Sequence, residues 1–297
     1  MLFANFVNVF LRKPPLVLTH NYGNVLRVLD FPAPAFQLLV GVSLPLFLDK
    51  RRRFGRPPLG AKLDALRRFF LLVCLGLLLD AVGAFHLGLR WGVLQTLGLG
   101  GAVGVALADV SNEAIVALSI ALLGLFSGAC NGEVHGSPQY ALAFVPLTLA
   151  GLVLGRLLVA PGARERLGGF VRAAATVAAG SGTFAALLYA SGVPFNKTLG
   201  TSSFVTLATA ATAAGLAGLA LFEARGGRFP AWLLAVGSNA LTAWVLQYLL
   251  VYYPAWLAFP AWRRLPLAPG MAAIVGTMLA IGALTIALGR RGIRVPI

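Results

Sequence analysis

The sequence predicts an all-α protein, a polytopic bundle of transmembrane helices that forms one domain over residues 1–297. Of the 297 residues, 59% are apolar and only 11% are charged, whereas a soluble domain has roughly a quarter charged residues. Long apolar runs alternate with short breaks that are charged or rich in Pro and Gly. The runs at 69–85 and 267–288 are long enough for a hydrocarbon core, where the backbone is satisfied in helices and closed barrels.

Ten apolar segments account for the predicted helices, in the order 1–11, 28–48, 67–85, 90–108, 113–129, 140–159, 171–191, 201–223, 230–253 and 267–288. The first is too short to cross a bilayer, because eleven residues extend only ~16 Å along a helix. It lacks the charged leading region and the cleavage site of a signal peptide. It is therefore either re-entrant or, as we prefer, the truncated end of a longer helix whose start codon was misassigned.

Lys and Arg are concentrated in alternate connections. Most of the 24 such residues lie in or beside segments 49–67, 160–170 and 224–229 and at the C-terminus. The positive-inside rule assigns these connections to the cytoplasm, and the C-terminus with them. Membrane topology thus accounts for the net charge of +15, and no nucleic-acid partner is predicted.

The segment that follows His20 carries an unusual polar stripe. Asp30, Pro34, Gln37 and Gly41 are spaced by four, three and four residues, so in a helix they share one face. We expect this face to point into the bundle, with Gly41 leaving room and Pro34 kinking the helix. Because ionisable groups in a membrane span are costly, Asp30 has either a structural hydrogen bond or a functional role.

Other spans add amides and small residues. Gln95 and Asn239 are interpreted either as interhelical hydrogen-bonding groups or as the lining of a cavity shared with Asp30. Gly151 and Gly155 form a G-x-x-x-G pair that lets helices approach closely. His86 and His135 are interpreted as solvated loop residues at the outer ends of helices. No zinc motif, phosphate loop or nucleophile elbow occurs, and the two Cys residues indicate neither a disulfide framework nor a metal site.

These residues, with their spacing, resemble the heparan-α-glucosaminide N-acetyltransferase family in its bacterial form. MLFAN ends at Asn5, as in the family's M-x-x-x-N. PPLVLTH ends at His20, and Asp30 opens DFPAPAFQLLVG, which is similar to D-L-V-F-P-x-F-x-F-x-x-G. RRFFLLVCLGLLLD, GVLQT, PFNKTLGTSSFV and VGSNALTAWV resemble further family stretches in the same order, from residue 1 to about 250.

The sequence also departs from the family pattern. The R-x-x-S-x-D-x-x-R-G stretch before the first helix is absent. Tyr22 stands where the Trp after the His is usual, Thr96 replaces the Arg of G-V-L-Q-R, and Gly200 replaces the Trp after N-K-x-L. SPQY takes the place of the outer-loop D-P-E-G. These departures lie on the extracytoplasmic side, so they bear on the acceptor.

The resemblance implies a multi-pass enzyme of the bacterial inner membrane, surrounded by membrane lipids. It would move an acetyl group from cytosolic acetyl-CoA, its co-substrate, to an extracytoplasmic amino sugar or glycan, with no metal. Our hypothesis makes His20 the general base or the transient acetyl carrier. Asp30 would orient His20, and Asn5 would supply an amide to the same site.

Weaker assignments concern the acetyl-CoA site. Gln95 and Asn239 are candidates for lining its cavity, and the basic cluster Arg51, Arg52 and Arg53 is a candidate for drawing in the CoA phosphates. Membrane topology is the competing explanation of this cluster.

Several alternatives stay open. The transfer could pass through an acetyl-histidine or by direct attack, and the acceptor atom could be oxygen, as in an O-acetyltransferase acting on cell-envelope polysaccharide. The oligomeric state is open, with a homodimer among the options. A degenerate family member that only binds, or a small-solute transporter, is the rival from another class. A transporter should carry polar groups near mid-bilayer and show inverted halves.

Overall fold

The computed structural model describes residues 2–19, 23–84, 91–128, 132–159 and 163–295. Over these ranges the chain is helical and contains no β-strand. The α-helices are α1 (Leu2–Phe10), α2 (Pro32–Arg53), α3 (Pro58–Ala84), α4 (Val93–Ala106), α5 (Asn112–Gly128), α6 (Pro138–Ala141), α7 (Val145–Val159), α8 (Ala163–Ala190), α9 (Ser202–Ala224), α10 (Ala231–Gly237), α11 (Ala240–Gln247), α12 (Tyr253–Leu257) and α13 (Leu267–Arg290).

One or more of these helices overlap each of the ten apolar segments, and the all-α prediction is confirmed. The prediction of about ten membrane segments is not confirmed. Within the described ranges, five helices are long and apolar enough to cross a membrane. A sixth span results if the bent pair Ala231–Gly237 and Ala240–Leu257 is counted as one. Several apolar helices of this length are typical of a membrane protein.

The short first helix packs in the core. Phe6 and Val7 of α1 are fully buried and belong to an apolar cluster shared with α13. Two backbone hydrogen bonds fasten its end, from Arg12 N–H to the Leu265 carbonyl (3.1 Å) and from Leu265 N–H to the Phe10 carbonyl (2.9 Å). The polar backbone groups next to α1 are thereby satisfied without water.

Helices α2 and α7 approach closely enough for their backbones to touch. A Cβ atom on Gly41 would lie 2.0 Å from the Thr148 carbonyl oxygen, and one on Gly151 would lie 2.0 Å from the Leu38 carbonyl oxygen. Gly155 faces the Val42 carbonyl in the same way. The expectation that these glycines allow close helix contact is confirmed.

Asp30 and Gln37 both face inward as expected, since each is 1% exposed. They do not share one helix, because Asp30 ends a short 3₁₀ turn, Val28–Asp30, before α2 begins. Gln37 donates from Nε2 to Thr148 Oγ1 of α7 (2.7 Å). The kink expected at Pro34 is wrong. Helix α2 begins at Pro32, so Pro34 lies in the first turn, where its missing N–H breaks no intrahelical hydrogen bond.

The loops at 54–57 and 107–111 and the tail after α13 lie at one end of the bundle. We call it the basic end because Lys and Arg are concentrated there. Asp109 pairs there with Lys62 (2.5 Å) and Arg52 (3.5 Å). The hydrogen bond from Lys62 is the main cause that lowers the pKa of Asp109. Arg156 of α7 donates to the carbonyls of Leu107, Ala108 and Val110, which caps the C-terminal end of α4.

The glycine contact between α2 and α7 yields a stability prediction. In Gly151→Ala the new methyl group meets backbone atoms of α2, so we expect a loss of about 1–3 kcal/mol, typical of overpacking. Gly180→Ala in α8 is the matched control, because nothing lies within 4 Å of its Cβ position. Thermal unfolding of the purified variants in detergent measures both. Equal melting temperatures for the two variants would contradict the contact.

Candidate functional site

A cleft of about 510 Å³ is the largest of the cavities described here. One wall is formed by α2, α3 and α4, and the other by residues 238–244 at the α10–α11 break together with the C-terminal tail. Phe36, Val40 and Phe47 line it from α2. These residues are spaced by four and seven, so they share one face of α2. This lining face differs from the buried face that carries Gln37.

The second wall exists because the helix after α9 is broken. Helix α10 ends at Gly237 and α11 begins at Ala240, with a bend of 70° between them. Asn239 occupies the break and is 6% exposed. A Cβ atom at position 289 of α13 would lie 2.0 Å from Asn239 Nδ2. Only glycine at this position therefore leaves space for the amide. Asn239 thus lines the cleft, but Asp30 does not, so this cleft is not the cavity shared with Asp30 that was one alternative from the sequence.

Two arginines line the cleft at the basic end. Arg68 of α3 stacks its guanidinium over the Phe47 ring at 4.7 Å, which fixes an otherwise flexible side chain. Arg294 lies in the tail after α13, and the neighbouring Val295 N–H donates to Thr242 Oγ1 of α11 (3.2 Å). The cleft therefore has two cationic groups at this end, the Arg68 guanidinium held against a ring and the exposed Arg294.

Hydrogen-bonding groups continue along the cleft beyond the arginines. Ser43, Ser238 and Thr242 present hydroxyls, and Trp244 contributes an indole ring. The Nε1–H of Trp244 is buried and has no hydrogen-bond partner within the ranges that the structure describes. Because a buried unsatisfied donor is costly, this N–H is an exception among the polar groups beside the cleft.

The cleft extends toward the opposite end as far as Val93 and Leu94 of α4. A Cβ atom on Gly76 of α3 would lie 3.0 Å from Leu94 Cβ. Gly76 is eight residues from Arg68 on the same helix, so the two residues lie about 12 Å apart along its axis. Beside Leu94, Gln95 donates from Nε2 to Asp80 Oδ2 (2.9 Å). Gln95 is buried next to the cleft and does not line it.

Asp30 lies in a separate polar cluster at the end opposite the basic loops. Its Oδ2 accepts the Arg27 N–H (3.1 Å), and its Oδ1 lies 3.7 Å from Lys197 Nζ. It lines neither of the two cavities described here. Sequence reasoning missed Lys197 as the partner of this carboxylate, although the N-K stretch of PFNKTLGTSSFV was the signal that could have found it.

Asn5 has a different environment from Asp30. Its Nδ2 donates to Gln247 Oε1 of α11 (3.0 Å), within the apolar cluster of α1, α11 and α13. The described contacts therefore do not bring Asn5 and Asp30 together. His20 lies outside the described residues, so its expected place beside Asp30 stays a prediction.

Of the other two histidines, the structure describes only His135, because His86 lies outside the described residues. The interpretation of His135 as a solvated loop residue is wrong, because the ring is partly buried, with Nδ1 3.3 Å from Thr96 Oγ1 and an edge-to-face contact with Phe144.

Each arginine of the basic cluster is paired with a carboxylate. Arg53 bonds Asp49 (2.8 Å), whereas Arg51 lies 3.5 Å from Asp64 and Arg52 lies 3.5 Å from Asp109. None of the three lines the large cleft, and Arg52 lines a smaller cavity of about 350 Å³ at the basic end. The structure thus brings Arg68 and Arg294, instead of this cluster, to the mouth of the cleft.

Comparison with known proteins does not add to these observations. Neither protein-family models nor curated proteins give a match to the chain.

The cleft predicts a difference in chemical accessibility between two positions, one in α2 and one in α13. In a background without Cys74 and Cys130, Ser43→Cys should react with a cationic, water-soluble thiol reagent, since Ser43 lines the cleft. Leu279→Cys is the matched control, because Leu279 lies midway along α13, is 69% exposed and does not line the cleft. A thiol facing lipid forms little thiolate, so we expect little labelling there. Equal labelling of both positions would contradict an aqueous cleft.

Proposed function

We propose that the chain is a transmembrane acetyltransferase that takes acetyl groups from acetyl-CoA at the basic end and transfers them to a sugar or glycan at the opposite end. The observation that carries this proposal is the cleft, with two arginines at one end and isolated hydrogen-bonding groups along apolar walls. CoA has matching chemistry, because its phosphates precede a largely apolar arm that carries two amides and ends in the thioester.

The proposed binding mode follows from these groups. Arg68 and Arg294 would hold phosphate oxygens by charge-assisted hydrogen bonds. Asn239, Thr242 and the Trp244 N–H would satisfy the amides of the arm within the apolar walls. The thioester would then lie near Leu94, toward the polar residues of the opposite end.

The proposed reaction is acyl transfer to an amine or hydroxyl. The acceptor atom attacks the thioester carbonyl carbon, the C–S bond breaks, and the thiol of CoA leaves with the proton that the acceptor loses. A base near neutral pH is needed for that proton, and His20 is our sequence-based candidate. Asp30 would stabilise the protonated imidazole, while Asn5 remains a weaker candidate because it is bonded to Gln247.

The proposed orientation places the basic end in the cytoplasm of a bacterial inner membrane, where acetyl-CoA is available. The departures from the family pattern lie at the opposite end, so the acceptor is proposed only as an amino sugar or a hydroxyl-bearing glycan. The partners are thus acetyl-CoA, the glycan and the surrounding lipids.

A transporter for a small solute is the second candidate, and one observation favours it. The broken helix at Asn239 resembles the discontinuous helices at which transporters bind their substrates. Incubating membranes that contain the chain with radiolabelled acetyl-CoA and a panel of amino sugars and polysaccharides separates the two candidates. Label in the acceptor supports the transferase, and its absence with every acceptor supports the transporter.

The arginines of the cleft yield a kinetic prediction. Arg68→Gln and Arg294→Gln should each raise KM for acetyl-CoA by about tenfold or more, because a hydrogen bond to a charged group contributes about 1.5–3 kcal/mol. Arg228→Gln is the matched control, since Arg228 is exposed and lies outside the cleft. Steady-state rates at varied acetyl-CoA measure KM, and unchanged values for both cleft variants would remove the assignment.

The same assay tests the basic cluster. If Arg51, Arg52 and Arg53 draw in CoA phosphates, their joint replacement by Gln should raise KM for acetyl-CoA. An unchanged KM in a normally inserted variant would leave membrane topology as the explanation of the cluster.

His20 yields a prediction about kcat. His20→Ala should lower kcat by about 10²–10⁴-fold, the usual contribution of general acid–base catalysis, while binding of acetyl-CoA changes little. His86→Ala serves as the control for loss of another outer histidine. Wild-type transfer by purified His20→Ala would refute the role of His20.

A further inference from the structure

The carboxylate of Asp30 is buried, and an apolar contact lies directly beside its polar cluster. Its side chain is 1% exposed, and the following residue, Phe31, packs its ring against Phe204 of α9 at a centroid distance of 6.1 Å. A carboxylate in such a place loses most of its hydration, which is costly unless opposite charge and hydrogen bonds replace the water. Lys197 supplies that charge at 3.7 Å, and its own side chain is only 14% exposed.

The loop before α9 is built to hold Lys197 in position. Asn196 is buried, and its Oδ1 accepts the Leu199 N–H (3.0 Å) while its Nδ2 donates to Asn24 Oδ1 (2.9 Å). Thr201 accepts the Asn196 N–H (3.0 Å) and donates to the Pro194 carbonyl (2.7 Å). These bonds fix both sides of Lys197, so its direction does not depend on the ion pair alone.

A second loop braces the first. The Val134 N–H donates to the Thr198 carbonyl (2.8 Å). Gly200 has φ +62°, and a Cβ there would lie 2.4 Å from a methyl group of Val134. The glycine therefore meets two requirements, a left-handed backbone and close contact between the loops. Gly200 stands where the family pattern has Trp, and these two requirements explain the glycine in this chain.

We propose that Lys197 is a positioning residue, which holds the buried Asp30 carboxylate aligned for the acetyl-transfer reaction. This proposal rests on the proposed function, and it gives a role to a residue that the proposed reaction does not otherwise use. The pKa of Lys197 is lowered by burial and raised again by Asp30, as expected for a cation whose main compensation is this carboxylate. Lys197 acts through Asp30 and lies outside the cleft.

A double-mutant cycle on kcat tests the proposal. Lys197→Met and Asp30→Asn should each lower kcat by about tenfold or more, and the double variant should be no slower than the slower single variant, because the two residues act as a unit. KM for acetyl-CoA should stay unchanged in all three. Lys197→Arg, which keeps the cation, should recover most of kcat. Lys13→Met is the control for loss of an exposed lysine in another loop.

Two results would overturn the proposal: wild-type kcat in Lys197→Met, or single-variant effects that multiply in the double variant. If Lys197→Met does not fold, the double variant decides, since it leaves no unpaired buried charge. It should then have the kcat of Asp30→Asn, and a lower value would overturn the proposal. An inactive wild-type chain overturns the proposed function itself, whereas an active wild type with active Lys197→Met overturns only the role of Lys197.

Discussion

The backbone contact between α2 and α7 is the constraint from which the two polar regions follow. Gly41 and Gly151 let the helices meet without side chains between them, and this fixes the rotation of α2 about its own axis. One face of α2 then turns Gln37 toward Thr148 of α7, while a second face presents Phe36 and Phe47 to the cleft. Asp30 lies in the turn directly before α2, so the position of this helix also affects where its carboxylate is buried.

The ion pairs at the two ends of the bundle differ in their exposure to solvent. At the basic end Arg52, Lys62 and Asp109 form ion pairs that are largely exposed, and such pairs contribute little to stability individually. At the opposite end Asp30 is buried and Lys197 is only 14% exposed, so the loss of either partner costs more than at the exposed pairs. The exposed pairs order loops, whereas the pair of Asp30 with Lys197 tolerates less change.

The candidate site was predictable only in part. Gln37 and Gly41 face inward together because helical spacing alone determines which residues share a face, whereas Asp30 is buried in a turn before that helix. Asn239 was recognised as a polar residue in an apolar segment, but its place in a break between two short helices depends on Gly289 of a distant helix. Lys197 and Arg294 were both present in the sequence without an assigned role. Lys197 pairs with Asp30, and Val295, the neighbour of Arg294, bonds Thr242. Both partners lie more than 50 residues away, and local patterns do not reveal such pairings.

The sequence by itself determined the class of the protein. An apolar chain with few charges has to form helices whose backbone bonds are internal, and the spacing of its polar residues determines their faces. Tertiary structure decided which of these residues meet. The ion pair of Asp30 with Lys197, the bond of Asn5 with Gln247 and the cleft between α3 and α11 each join segments far apart in the chain. The physical reason is that close packing, through small residues at particular crossings, sets these distances only once the helices have assembled.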